Sequence, residues 1–161
     1  MIRDALLTFR TFLGELRWED VIVGHDFGFL DPAQIQAWSE HRFPSAPGSL
    51  LHAGDPRDFE ARLWTACAEA TGRTPRPGSA RWAEAQDRWR LAFLREALAT
   101  ESTLPQLAQR VERLYEQVGC PEDMLGMLRP SQSWSGLPAR LDTRALADFL
   151  RRFDPCPAPV A

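Results

Sequence analysis

Apolar residues recur at helical spacing along almost the whole chain, and the only run of β-branched residues is three long. Leu6, Phe9, Phe12, Leu13 and Leu16 step by threes and fours and predict a first helix over about residues 3–16. A short second helix opens at Trp18 with Val21, Ile22 and His25 on one face, weakened by Gly24 and Gly28. Asp31-Pro32 pairs an N-cap acceptor with a proline at the first helical position, and the helix it starts runs through Ile35 and Trp38 to Phe43-Pro44. Asp55-Pro56 repeats that signal before the stripe Phe59, Leu63, Ala66, Cys67 and Ala70, which Gly72 stops. Ser79 opens the longest helix, with Trp82, Ala85, Trp89, Phe93, Leu94 and Leu98 inward. Ser102 or Thr103 caps the next, which carries Leu104, Leu107, Ala108, Val111, Leu114, Tyr115 and Val118. A short helix starts at Pro121-Glu122-Asp123-Met124, and Asp142 caps the last, with Leu146, Phe149, Leu150 and Phe153 inward. Residues 44–54, 73–78 and 129–140 are Pro/Gly-rich loops.

Val21-Ile22-Val23 is too short to anchor a sheet. The pattern therefore predicts an all-α fold: one compact multi-helix domain of about seven helices over residues 1–154, with a frayed Pro-rich tail at 155–161. A chain of 161 residues with 44% hydrophobic content, six Trp and nine Phe has ample material for a core. No apolar run approaches the length of a membrane span, and the N-terminus has no signal-peptide pattern, so the expected location is the cytoplasm.

All 19 basic side chains are arginine; Lys and Asn are both absent. Both are spelled by A-rich codons, so a GC-rich genome explains the bias. It nonetheless excludes lysine chemistry and the phosphate loop that needs a lysine. There is no G-x-G-x-x-G fingerprint and no G-x-S-x-G elbow. Cys67, Cys120 and Cys156 are odd in number and widely spaced, which argues against a disulfide framework or zinc site. Cys67 reads as a small buried hydrophobe. Cys120 precedes a short helix but has no histidine nearby in sequence. Ser131, Ser133 and Ser135 around Trp134 read as a polar spacer. The His25-Asp26 pair resembles half of the metal site of helical phosphohydrolases, and with His41 and Glu40 gives the alternative reading, a metal-dependent hydrolase. His41 and His52 lie in no second such pair, so the expectation is a non-enzymatic chain without cofactors.

The net charge of −3 and a pI near 5.6 speak against a nucleic-acid partner. The charge is unevenly placed. Between Glu15 and Glu40 stand six acids (Glu15, Glu19, Asp20, Asp26, Asp31, Glu40) and one base, Arg17, which leaves about +2 for the rest. Asp31 serves as a cap, and Glu19-Asp20 suit a helix first turn. A concentrated acidic surface also captures a basic protein quickly and specifically. The expected partner-binding residues are Trp18, Glu19, Asp20, Asp26, Trp38 and Glu40, with Trp18 or Trp38 as an aromatic anchor.

Trp18-Glu19-Asp20-Val21-x-x-Gly24 and Phe29-Leu30-Asp31-Pro32 resemble the N-terminal part of an uncharacterised bacterial family, domain-of-unknown-function family 2247. The C-terminal half is similar to it in the Trp89–Leu98 helix, Val111-Glu112-Arg113-Leu114-Tyr115, Cys120-Pro121-Glu122-Asp123-Met124 and the Pro130 loop. Cys120 departs from that family's usual aromatic residue, and Leu128-Arg129-Pro130 replaces its second aromatic-Met-Pro motif. The resemblance implies a small helical protein without an assigned enzymatic role, of a kind that often serves as an immunity protein beside a toxin. With the charge and apolar patterns above, the expected partner is a protein, a basic toxin domain, and neither nucleic acid nor membrane.

Overall fold

A computed structural model describes residues 4–42, 55–74, 76–129 and 140–153 of the chain. Among them are eight α-helices: α1 (Ala5–Leu13), α2 (Trp18–Asp26), α3 (Pro32–Arg42), α4 (Phe59–Thr71), α5 (Ala80–Thr100), α6 (Leu104–Gln117), α7 (Glu122–Leu125) and α8 (Thr143–Phe153). The all-α fold expected from the periodicity is what the chain adopts. A 3₁₀ turn, Pro56–Asp58, precedes α4. The sole strand pairing among the described residues is a two-residue antiparallel bridge, Leu128 opposite Leu141 and Arg129 opposite Arg140. The chain divides into two units, Met1–Trp89 and Arg90–Ala161.

Local chemistry sets the helix ends. The Asp31 carboxylate accepts the Gln34 N–H at 2.8 Å while the Gln34 side chain accepts the Asp31 N–H at 3.0 Å, a reciprocal capping box. Thr103 and Asp142 cap α6 and α8 by accepting the N–H groups of Gln106 and Ala145. Gly72, at φ 69°, ends α4 in the left-handed conformation. The first helix is shorter than its apolar stripe. Gly14, at φ 83°, stops it at Leu13, yet Leu16 is still buried from beyond the helix end. The Val21-Ile22-Val23 run lies wholly within α2, where all three side chains are buried.

The first unit is built around aromatic rings. Trp89 meets Phe9 at 4.6 Å and Phe29 at 5.3 Å between ring centroids. Trp18 meets Trp38 edge to face at 4.9 Å, and Trp64 meets Trp82 at 5.8 Å. The seven-residue spacing of Trp82 and Trp89 is thus core packing.

In the second unit, Leu107, Ala108, Val111 and Leu114 of α6 and Leu146 and Phe149 of α8 are buried. Asp123 holds two guanidiniums, Arg90 at 2.7 Å and Arg152 at 3.0 Å, and both lie over the Phe149 ring at 5.2 and 5.0 Å. Burial alone raises the Asp123 pKa, but hydrogen bonds and charge from Arg90 and Arg152 outweigh it and hold the carboxyl below the usual aspartate range. A carboxyl with a depressed folded-state pKa contributes its stability above its unfolded value and loses it as pH falls through the folded one. Asp123→Asn should therefore cost about 1.5 kcal/mol at neutral pH. That cost should shrink as the pH is lowered past the ordinary aspartate value of about 3.9. Urea unfolding of both proteins at neutral and acid pH checks this; a cost independent of pH would overturn it.

Candidate functional site

The six residues expected to meet a partner begin on α2, whose start is governed by Asp20. This is the third residue of the helix, and its carboxylate accepts the Arg17 N–H at 2.8 Å. The same carboxylate accepts Arg88 Nε at 3.1 Å, and the Asp20 carbonyl accepts the Trp89 indole N–H at 2.7 Å. Asp20 is 0% exposed. Burial pushes its pKa up, against the lowering influence of the Arg17 N–H and the Arg88 charge. Asp20 is thus a structural carboxyl inside the first unit, which corrects its placement on a docking surface. Trp18 and Trp38 are corrected likewise: each buries the other's ring. The edge of Trp38 does reach a groove of about 370 Å³, lined also by Leu6, Arg10, Glu15, His41 and Arg42.

Arginines from outside the acidic stretch pair with three of its six acids. Glu15 is paired with Arg10 at 3.4 Å and Arg42 at 3.5 Å, and its carbonyl accepts a bond from Arg88. Glu19, its side chain only 17% exposed, faces Arg81 at 3.5 Å. Arg17 in turn reaches Glu84 at 2.7 Å. The net −5 counted along residues 15–40 is therefore a property of the sequence segment, not of one surface. A signal for this was present in the repeated pair Arg81-Trp82 and Arg88-Trp89. Seven-residue spacing that turns both Trp inward also sets the adjacent Arg on one face of α5, two turns apart.

Asp26 and Glu40 are exposed. His25 is half-buried against Phe59, ring centroids 5.4 Å apart, a contact that ties the end of α2 to the start of α4. Asp58 and Glu60 flank Phe59 and are exposed, as Asp26 beside His25 is. Among the described residues Asp26, Asp58 and Glu60 have no ion-pair partner. Sequence reasoning did not single out Asp58 and Glu60 because they lie 18 and 20 residues beyond the stretch in which the acids were counted.

Among the described residues there is no group of three or more His, Cys, Asp or Glu able to hold a metal ion, so His25 and Asp26 gain no third ligand there. His41 is exposed on α3, and His52 lies outside the described residues, as do Ser131, Ser133, Trp134, Ser135 and Cys156. Cys67 is buried as its stripe implied, with its thiol pKa pushed up to about 11, first by burial and then by Glu19. Cys120 is exposed. No described helix is long and apolar enough to cross a membrane.

No protein-family model, no curated protein and no solved structure matches the chain.

Proposed function

We propose that the chain is a non-enzymatic binding protein of the immunity type, which docks on a basic toxin domain and occludes it in the cytoplasm. One observation carries this reading. After the internal arginines have neutralised Glu15, Glu19 and Asp20, the carboxylates of Asp26, Asp58 and Glu60 remain exposed around the His25–Phe59 contact without ion-pair partners among the described residues. They are held by two packed helix ends, so a cationic partner would meet fixed charge rather than flexible side chains on a loop. Glu40 on α3 is a further exposed acid from the original set. The resemblance of the Trp18–Gly24 and Phe29–Pro32 segments to an uncharacterised bacterial family points the same way.

Co-expression with the polypeptide encoded beside the chain's own gene tests the function. The intact chain should restore growth of cells poisoned by that polypeptide, and the two should form a complex. Asp26→Arg, Asp58→Arg and Glu60→Arg together should slow association about tenfold. Their thermal unfolding should be unchanged, because these residues are exposed. A neighbouring product whose toxicity the intact chain does not relieve would remove the immunity role. An association rate untouched by the triple reversal would remove this surface from it.

A further inference from the structure

We propose that the groove between α1 and α3 binds a small aromatic carboxylate, and that the Glu15 side chain stands where the ligand's carboxyl group would go. The groove measures about 370 Å³ and lies wholly within the first unit. Leu6 of α1 and Ala37 and Trp38 of α3 form its apolar part; Arg10, Arg42 and Glu15 form its charged part.

The charged end shows what it recognises. Glu15 follows Gly14, the residue that ends α1, and each of its carboxylate oxygens faces a different guanidinium. Oε1 lies 3.4 Å from Arg10 Nη2 and Oε2 lies 3.5 Å from Arg42 Nη1. The guanidinium ends of both arginines, and not only their stems, are therefore at the groove, one from each helix. Both distances exceed the roughly 2.7–2.9 Å of a fully formed charge-assisted bond. All three side chains are about half exposed, so exchanging Glu15 for another carboxylate costs little. The Glu15 backbone is held, its carbonyl accepting Arg88 at 3.3 Å, and only the side chain has to turn away. Two guanidiniums against one carboxylate leave one surplus positive charge, which a monoanion balances.

The apolar part defines the rest of the ligand. The volume lies at the lower end of the range of about 300–1,000 Å³ in which pockets enclose a whole small molecule. Trp38 is 7% exposed and already packs edge to face on Trp18, so a ligand meets a narrow strip of the indole. The edge of an aromatic ring is electropositive and favours the face of another ring. A flat two-ring body carrying one carboxylate fits both ends of the groove.

Titration of the full chain with naphthoate, naphthamide and acetate, followed by calorimetry and by the Trp38 indole resonance, tests the site. Naphthoate should bind saturably and shift that resonance. The uncharged amide should bind at least about tenfold more weakly, and acetate, which has no apolar body, should not saturate. Arg10→Ala/Arg42→Ala should weaken naphthoate at least about tenfold and bring it to the level of the amide. The urea midpoint of that variant should be unchanged, because half-exposed ion pairs contribute little to stability. Glu15→Gln should bind naphthoate more tightly than wild type, since it frees both guanidiniums, and should leave the amide unaffected. A merely structural effect would move both probes alike. Absence of saturation by naphthoate, equal affinities for acid and amide, wild-type affinity in the double variant, or weaker naphthoate binding by Glu15→Gln would overturn the proposal. Acetate that binds as tightly as naphthoate would overturn the assignment of an aromatic body.

Discussion

Asp20→Ala should lower the stability of the chain by about 3 kcal/mol, read as a shift in the urea midpoint. Two donors lose their acceptor at once, the Arg17 N–H at the start of α2 and Arg88 Nε. Each hydrogen bond to a charged acceptor contributes about 1.5–3 kcal/mol. The Arg88 side chain is 20% exposed and regains water, which keeps the total at the lower end of that sum. Asp20→Asn retains an oxygen for the Arg17 N–H and should cost clearly less. The partner change behaves differently. Arg88→Met leaves a buried carboxyl whose pKa is already raised by desolvation and then loses an opposing positive charge. A carboxyl with a raised folded-state pKa loses stability as pH rises through the window between its unfolded and folded values. The cost of Arg88→Met should therefore grow from acid to neutral pH, the same direction as for Asp123→Asn, here because a charge is left buried and unopposed rather than because a paired charge is lost. A loss below about 1 kcal/mol in Asp20→Ala would show that water replaces both donors' partner, and that Asp20 does not fix the start of α2.

The helices were legible because their signals are local. Asp31-Pro32, Gly72, Thr103 and Asp142 act within one turn of where they stand, and the apolar stripes need only the period of the helix. The end of α1 was missed because Gly14 interrupts a stripe that continues to Leu16: periodicity records burial, not helix continuity. The bridge between Leu128 and Leu141 was missed because two residues on each side carry no alternation to read. The pairing within the acidic stretch was illegible for a different reason. Glu19 and Asp20 are neutralised by Arg81 and Arg88, more than sixty positions away, and linear charge counting cannot see such pairs. A buried Asp at the third position of a helix is also indistinguishable in sequence from an exposed one, because both satisfy the same first-turn preference. Asp26 is exposed because the contact beside it, His25 on Phe59, leaves its own carboxylate outside.

Gly24→Ala separates local propensity from tertiary packing by sign. Glycine inside a helix is about 1 kcal/mol worse than alanine, so α2 considered alone gains from the substitution. In the folded chain a Cβ on Gly24 would stand 2.6 Å from Trp89 Cζ2, 2.9 Å from Trp89 Cε2 and 3.0 Å from Leu30 Cδ1. Trp89 has little room to withdraw. It is 0% exposed, is set between Phe9 and Phe29, and is pinned by its indole bond to the Asp20 carbonyl. The backbone is no freer, since the Gly24 carbonyl accepts both the Phe29 and Leu30 N–H groups at the turn into α3. Overpacking a tight core costs about 1–3 kcal/mol, occasionally more. The expected net result is a loss of about 2 kcal/mol despite the helix gain, with a changed near-ultraviolet signal from the displaced indole. Trp89→Phe removes the ring atoms that collide, so Gly24→Ala should cost far less in that background, a coupling of at least about 1 kcal/mol in a double-mutant cycle. Additive costs, or a stabilised Gly24→Ala single variant, would mean that the indole can shift freely, and the close seating of Trp89 on α2 would then not be what fixes the first unit's core.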